Sequence, residues 1–135
     1  MENGTQVHQN GSQVYQKLTP GQLSYRLLKH RKWIRNRGGE RLVLRHYDLA
    51  EMNFYGLDLH EASFYKCDLA GVNLNGCNLQ HVRFIECFMG AADLECTKLY
   101  NADFTGSNLT AAKFGGSSRN GVVFTNTIQT NTQYY

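Results

Sequence analysis

Residues 62–79 read Ala62-Ser63-Phe64-Tyr65-Lys66, Cys67-Asp68-Leu69-Ala70-Gly71, Val72-Asn73-Leu74-Asn75-Gly76 and Cys77-Asn78-Leu79. A large apolar residue returns at every fifth place. Working outward from Phe64 in steps of five gives Leu59, Phe54, Leu49 and Leu44 on one side. On the other side it gives Leu69, Leu74, Leu79, Phe84, Met89, Leu94, Leu99, Phe104, Leu109 and Phe114. The beat misses once, at Arg119, and returns at Phe124. Two places before the beat stands a small or apolar residue, as at Ala62, Cys67, Val72, Ala92 and Ala102. The residue between is mostly Asp or Asn. A fixed internal period fixes architecture before local propensity does.

A period of five fits neither a helix at 3.6 nor a strand at 2. It describes a short extended piece with two inward side chains flanking an outward one, followed by a corner. Glycine recurs two places after the beat, at Gly56, Gly71, Gly76, Gly106, Gly116 and Gly121. A tight corner needs a residue tolerant of positive φ at that place. Extended pieces and corners in alternation make a solenoid, whose coils pair backbone to backbone.

Ala92-Asp93-Leu94 and Ala102-Asp103-Phe104, with the looser Cys67-Asp68-Leu69, Val72-Asn73-Leu74 and Cys77-Asn78-Leu79, resemble the A(D/N)Lxx unit of pentapeptide-repeat proteins. The resemblance covers Leu42 to Phe124 and implies a right-handed quadrilateral β-helix with twenty residues per coil. Folded by twenty, the inner columns read Leu44, Phe64, Phe84, Phe104, Phe124, then Leu49, Leu69, Met89, Leu109. The first is a ladder of rings, each packing on the ring one coil away.

Before the repeats lies an expected helix at about Pro20 to Arg37. Thr19 suits the N-cap, Pro20 the first turn, and Gln22 completes a capping box. Leu18 and Leu23 are spaced as a hydrophobic staple, and Gly38-Gly39 ends the helix. Leu23, Leu27, His30 and Ile34 form one stripe, opposite Lys29, Arg31, Lys32 and Arg35. The first coil of a solenoid exposes an apolar cross-section and an unpaired edge, so the helix is read as an N-terminal cap, with Trp33 near the first coil. The domain reading is therefore a flexible polar tail over 1–17, a capping helix over 18–39, the β-helix over 40–126 and a C-terminal tail over 127–135.

Residues 1–40 carry a net charge of +5 and residues 41–135 carry −2, which together give the +3 of the whole chain. The cap is basic and the solenoid nearly neutral. No apolar run approaches a membrane span, and the polar N-terminus carries no secretory signal, which favours the cytoplasm.

Chemistry-bearing groups are few. Cys67, Cys77 and Cys87 fall on the inward small position and read as buried wall fillers, although Cys67 and Cys87 stack one coil apart. Cys96 lies at a corner as an exposed thiol. Folding by twenty places Arg41, Glu61, His81 and Asn101 in one outer column and Glu40, His60, Gln80 and Tyr100 in the next, ladders of mixed charge. No nucleophile with an orienting partner, phosphate loop or zinc spacing is present, so neither an enzyme nor a cofactor is expected.

What remains is surface. Tyr65 and Ile85 point outward one coil apart with Phe88 round the corner, a candidate partner-binding patch on a rigid wall. The expected function is a non-enzymatic protein–protein interaction module with a protein partner; nucleic acid is disfavoured because no recognisable reading module is present. The resemblance suggests an alternative, since quinolone-resistance members of the family mimic DNA and bind gyrase as acidic dimers. Here Asp58, Asn78, Lys98 and Asn73, Asp93, Lys113 interrupt the acids with lysines, and only Asp48 over Asp68 begins a stripe. At the other end Val122, Val123 and Phe124 form a candidate dimer edge for a tail-to-tail homodimer.

Overall fold

The structure, a computed structural model, describes residues 6–10 and 13–135. Two features of the sequence recur at the corners of the coil. Leu57 N–H donates to the Phe54 carbonyl at 3.1 Å and Cys77 N–H to Leu74 at 3.1 Å. The third residue of each turn has positive φ, 70° at Gly56 and 72° at Gly76, which is type II geometry. The second feature explains the recurring Asp or Asn. Asp68 Oδ1 accepts the Ala70 N–H at 3.1 Å and Asn73 Oδ1 accepts the Asn75 N–H at 2.9 Å. The short polar side chain satisfies a backbone donor that the corner would otherwise leave bare.

Four such sides close a coil. Asp48 bridges Asp68, Asn53 bridges Asn73 and Asp58 bridges Asn78, all parallel and all twenty residues apart. On the fourth side the pairing is continuous enough to form strands. β3 (Val43–Arg45), β4 (Ser63–Tyr65) and β5 (Arg83–Ile85) make a parallel sheet in which Leu44, Phe64 and Phe84 are in register. The chain is a β-solenoid, and its core is the line of inward side chains.

Those side chains are shut off from solvent: Leu44, Phe64, Phe84, Phe104, Leu69, Leu74 and Leu94 are all fully buried. Phe64 stacks on Phe84 with ring centroids 5.0 Å apart, Phe84 on Phe104 at 5.3 Å and Phe104 on Phe124 at 5.6 Å. Phe114 meets Phe104 edge-on at 5.8 Å, which locks two columns together.

The first coil differs in residue size. Where later coils place Ala62, Cys67, Val72 and Cys77, it places Leu42, Tyr47, Met52 and Leu57. These larger side chains have no coil beyond them. Leu18, Leu23 and Leu27 pack against the core at this end, along with Tyr47 and Met52. α1 (Pro20–Ile34) supplies two of them, three residues shorter than the expected helix. Thr19 Oγ1 accepts from Gln22 N–H at 3.1 Å and Thr19 N–H donates to Gln22 Oε1 at 2.8 Å, the expected capping box. Gly39 is required by approach as well as by φ: a Cβ there would lie 2.1 Å from the Lys29 carbonyl oxygen.

Two expectations change. The stretch expected as a flexible tail contains β1 (Gln6–Asn10) paired antiparallel with β2 (Gln13–Lys17); residues 1–5 and 11–12 of that stretch lie outside the described residues. β2 finds a partner because the first coil leaves its edge open. Gln16 N–H donates to His46 at 2.8 Å, and Asp48 N–H donates to Gln16 at 2.7 Å. Tyr15 is buried there, and Lys17 Nζ lies 3.4 Å from Asp48 Oδ2. At the other end the residues expected as a tail continue the coil. Ile128 bridges Asn108 and Gln133 bridges Lys113, because Phe124 and Tyr134 still supply inward rings.

Candidate functional site

The wall carrying the candidate patch is set by the β3–β4–β5 register. Arg45, Tyr65 and Ile85 are aligned partners in successive strands. The Arg45 guanidinium lies over the Tyr65 ring, 4.1 Å from its centroid, and Arg83 Nη1 is 3.5 Å from the Tyr65 hydroxyl. Hydrogen bonding with Ser63, aided by Arg83 and the charges of Arg83 and Arg45, holds the Tyr65 phenol below its ordinary value against the opposing effect of burial, which is second in size to the Ser63 bond. Tyr65 and Ile85 are both half-buried, so the column presents an arginine-clamped ring beside an aliphatic side chain rather than a bare apolar patch.

Phe88 stays in register, between Asp68 and Asn108. Standing where an Asp or Asn would otherwise cap the corner, it folds its ring over Gly90, where an added Cβ would lie 3.0 Å from Phe88 Cζ. It lines an open concavity of about 530 Å³ with Tyr15, Lys66 and Glu86. The three candidate residues therefore divide: Tyr65 and Ile85 share one wall, and Phe88 belongs to the next. The acidic pair Asp48 and Asp68 is buried, with β2 seated on the edge beside it.

Val122 and Phe124 are half-buried and pack against the core, while Val123 is 40% exposed. Arg119, the residue that breaks the beat, turns into the end of the coil. Its Nη1 donates to the Phe114 carbonyl at 3.1 Å, Ser117 Oγ at 3.0 Å and the Tyr134 carbonyl at 3.2 Å. Its guanidinium also covers the Tyr134 ring at 5.2 Å. Phe124 is thereby held between Phe104 and the Arg119–Tyr134 pair.

Three thiols and the His30 ring are used structurally. Cys67 Sγ donates to the Leu44 carbonyl at 3.4 Å, Cys77 Sγ to Phe54 at 2.9 Å and Cys87 Sγ to Phe64 at 3.3 Å. Burial pushes the Cys77 thiol up to about 11 and raises Cys87 as well. All four cysteines are free, so the stacked Cys67 and Cys87 do not form a bridge. His30 is buried, accepts the Leu42 N–H at Nδ1 (2.8 Å) and donates from Nε2 to the His60 carbonyl (3.1 Å). In the column of Arg41, Glu61 and His81 the guanidinium bonds the Glu61 carbonyl and Ser63 Oγ, each at 2.9 Å. Among the described residues no group of three or more His, Cys, Asp or Glu is placed to hold a metal ion. No helix among them is long and apolar enough to cross a membrane.

A feature outside the expected site lies between α1 and the first coil. Leu27, Leu28 and Ile34 of the helix face Leu57 and Leu59 across a groove of about 430 Å³, with Arg31 and Arg35 at its rim. The pair Leu27-Leu28 carried the signal, since the helical stripe accounts for only one of them.

The model for the pentapeptide repeat region matches residues 43–124. The chain belongs to the pentapeptide repeat family. Solved structures agree on the fold. A pentapeptide repeat protein of the Arabidopsis thaliana thylakoid lumen is 27% identical over 63% of this chain and 59% of that one, with a TM-score of 0.61. HetL of Nostoc sp. strain PCC 7120, a pentapeptide repeat protein involved in regulating heterocyst differentiation, is 20% identical over 69% of this chain and 47% of that one (TM-score 0.54). Rfr23 of the cyanobacterium Cyanothece 51142 is 17% identical over 68% of this chain and 80% of that one, also at 0.54. This pentapeptide repeat chain spans less than two thirds of the length of the first two. No curated protein matches it in sequence.

Proposed function

We propose that this pentapeptide repeat chain is a non-enzymatic interaction module that offers a rigid β-helix wall to a protein partner. The observation that carries the reading is the aligned column Arg45, Tyr65 and Ile85, in which a cation sits 4.1 Å over an aromatic ring beside an aliphatic side chain. Arginine and tyrosine are the residues that most often anchor protein interfaces, and a parallel ladder beneath them removes the entropy of ordering them. The inward side of the coil is filled, so function has to reside on the outside. In this reading the coil winds right-handed, as in the family, and α1 with β2 forms the lid of its first coil.

The alternative, a nucleic-acid mimic acting on a DNA-handling enzyme, has less support. A mimic needs a continuous acidic stripe, and here Asp48 and Asp68 are buried beside β2 while Lys98 follows Asn78 along its column.

A benzophenone amino acid placed at Ile85 and irradiated in the organism of origin tests the reading. A crosslink to one protein, lost on Tyr65→Glu, is the expected result. Crosslinks to DNA, or none above an identically labelled site at Lys113, would overturn it.

A further inference from the structure

The groove between α1 and the first coil combines an apolar floor with an excess of positive charge. Its floor is made by residues that remain open to solvent, Leu28 at 45% and Leu57 at 36%. Leu57 occupies the inward small position, where the coils below bury Cys77 and Thr97. Of the four large residues of the first coil, Leu57 is the one the helix leaves exposed.

The rim is positive. Arg31 and Arg35 form no ion pair among the described residues, and the one carboxylate that shares the groove with them is Asp58. Asp58, on the coil side, is occupied: its Oδ1 meets His60 Nδ1 at 2.8 Å and takes the His60 N–H at 3.2 Å. The groove thus sets two guanidinium groups against one carboxylate that faces His60, an excess of one positive charge.

We infer that this groove is a docking site for a short acidic, apolar segment of a partner protein, its aliphatic or aromatic side chain seated on Leu28 and Leu57 and its carboxylate paired with Arg31 and Arg35. Charge complementarity selects the sign, because a basic segment would meet two guanidinium groups against a single carboxylate. The floor selects a protein over nucleic acid. A phosphate backbone is held by many cations in a wet, polar interface, whereas here two arginines border a leucine surface. The open floor also disfavours a lone acyl chain, which would keep one side in water, while a folded segment covers itself. The inference rests on the interaction-module reading and assigns it a second surface with a stated partner chemistry.

The test is selection of a displayed random 12-residue peptide library on the full chain, followed by hydrogen-exchange footprinting of the best peptide. Enriched sequences should pair Asp or Glu with Leu, Ile, Phe or Trp and should protect 27–35 and 56–59. The double variant Arg31→Glu/Arg35→Glu, with an unchanged melting curve, should weaken binding by about tenfold or more, as reversal of interfacial charge does. Tyr65→Glu should leave it unchanged. Enrichment of basic peptides, no enrichment, or a footprint away from the groove would overturn the inference. Binding lost on Tyr65→Glu but kept in the double arginine variant would sink the groove while sparing the wall.

Discussion

His30 accepts the Leu42 backbone N–H at 2.8 Å through Nδ1 and, through Nε2, donates to the His60 carbonyl at 3.1 Å. One imidazole thus ties α1 to two points of the first coil, and the bond accepted at Nδ1 needs the neutral ring, whereas the bond donated from Nε2 survives protonation and favours it. Burial is the largest influence on it and holds its pKa below the ordinary 6.5. The unfolded chain therefore takes up the proton more readily than the native one. The stability that His30 contributes is complete above about pH 6.5 and is lost as pH falls from there through the lower native value. Denaturant midpoints at pH 7.5 and pH 5 should differ for the wild type and converge for His30→Gln. Asp58 and Arg41 also face this ring with opposite effects, so Asp58→Asn is the control for a neighbour's charge. An unchanged pH dependence in His30→Gln would refute the assignment.

Gly38 and Gly39 separate backbone strain from close approach. Both have positive φ, 79° and 81°, but a Cβ at Gly38 meets nothing, whereas one at Gly39 would lie 2.1 Å from the Lys29 carbonyl oxygen. Gly38→Ala should cost about 1–2 kcal/mol, the strain of a left-handed residue. Gly39→Ala should cost more, because the turn holding Glu40 N–H on Lys29 at 3.1 Å must open. Equal melting temperatures for the two variants would contradict the packing described.

The stacked column runs through the buried core of successive coils. Phe84→Ala removes a ring stacked on both sides, at 5.0 Å and 5.3 Å, and should cost about 3–5 kcal/mol. Calorimetry reads this as a large fall in melting temperature.

Arg119 closes the last coil, so its loss should act locally. Arg119→Ala removes three donated bonds and the cover over Tyr134. Amide exchange over 120–135 should accelerate by about tenfold, corresponding to a local loss of about 1.4 kcal/mol, a typical net value for hydrogen bonds to a charged group. Exchange at Phe64 and Phe84 should not change.

The coil was legible because its rule is local and repeated: the beat from Leu44 to Phe114 states which side chains face inward, and Gly56 or Gly71 states where the chain turns. The helix was legible for the same reason, since Thr19, Pro20 and Gln22 lie within one turn. β2 was not. Nothing in Val14-Tyr15-Gln16 names a partner, and the strand forms because the far-off edge at His46 and Asp48 leaves backbone groups open. Phe88 was legible in register, round the corner from Tyr65 and Ile85, but not in contact, since its ring folds onto Gly90, a contact set by rotamer rather than by spacing. The groove was hidden because Leu57 looks like any inward residue until α1 is seen to leave it uncovered. The terminal Tyr134 was read as tail because the residues before it are mostly Thr, Asn and Gln, whereas Arg119, the residue that breaks the beat, is what holds that ring.

The most direct measurement is quantitative capture from the organism of origin with full-length wild type and with Tyr65→Glu/Ile85→Lys, both checked for identical melting. If the wall works as an interaction surface, a protein enriched on the wild type should fall by about tenfold or more on the variant, the size expected when central interface anchors are lost. A partner retained equally by both would contradict it.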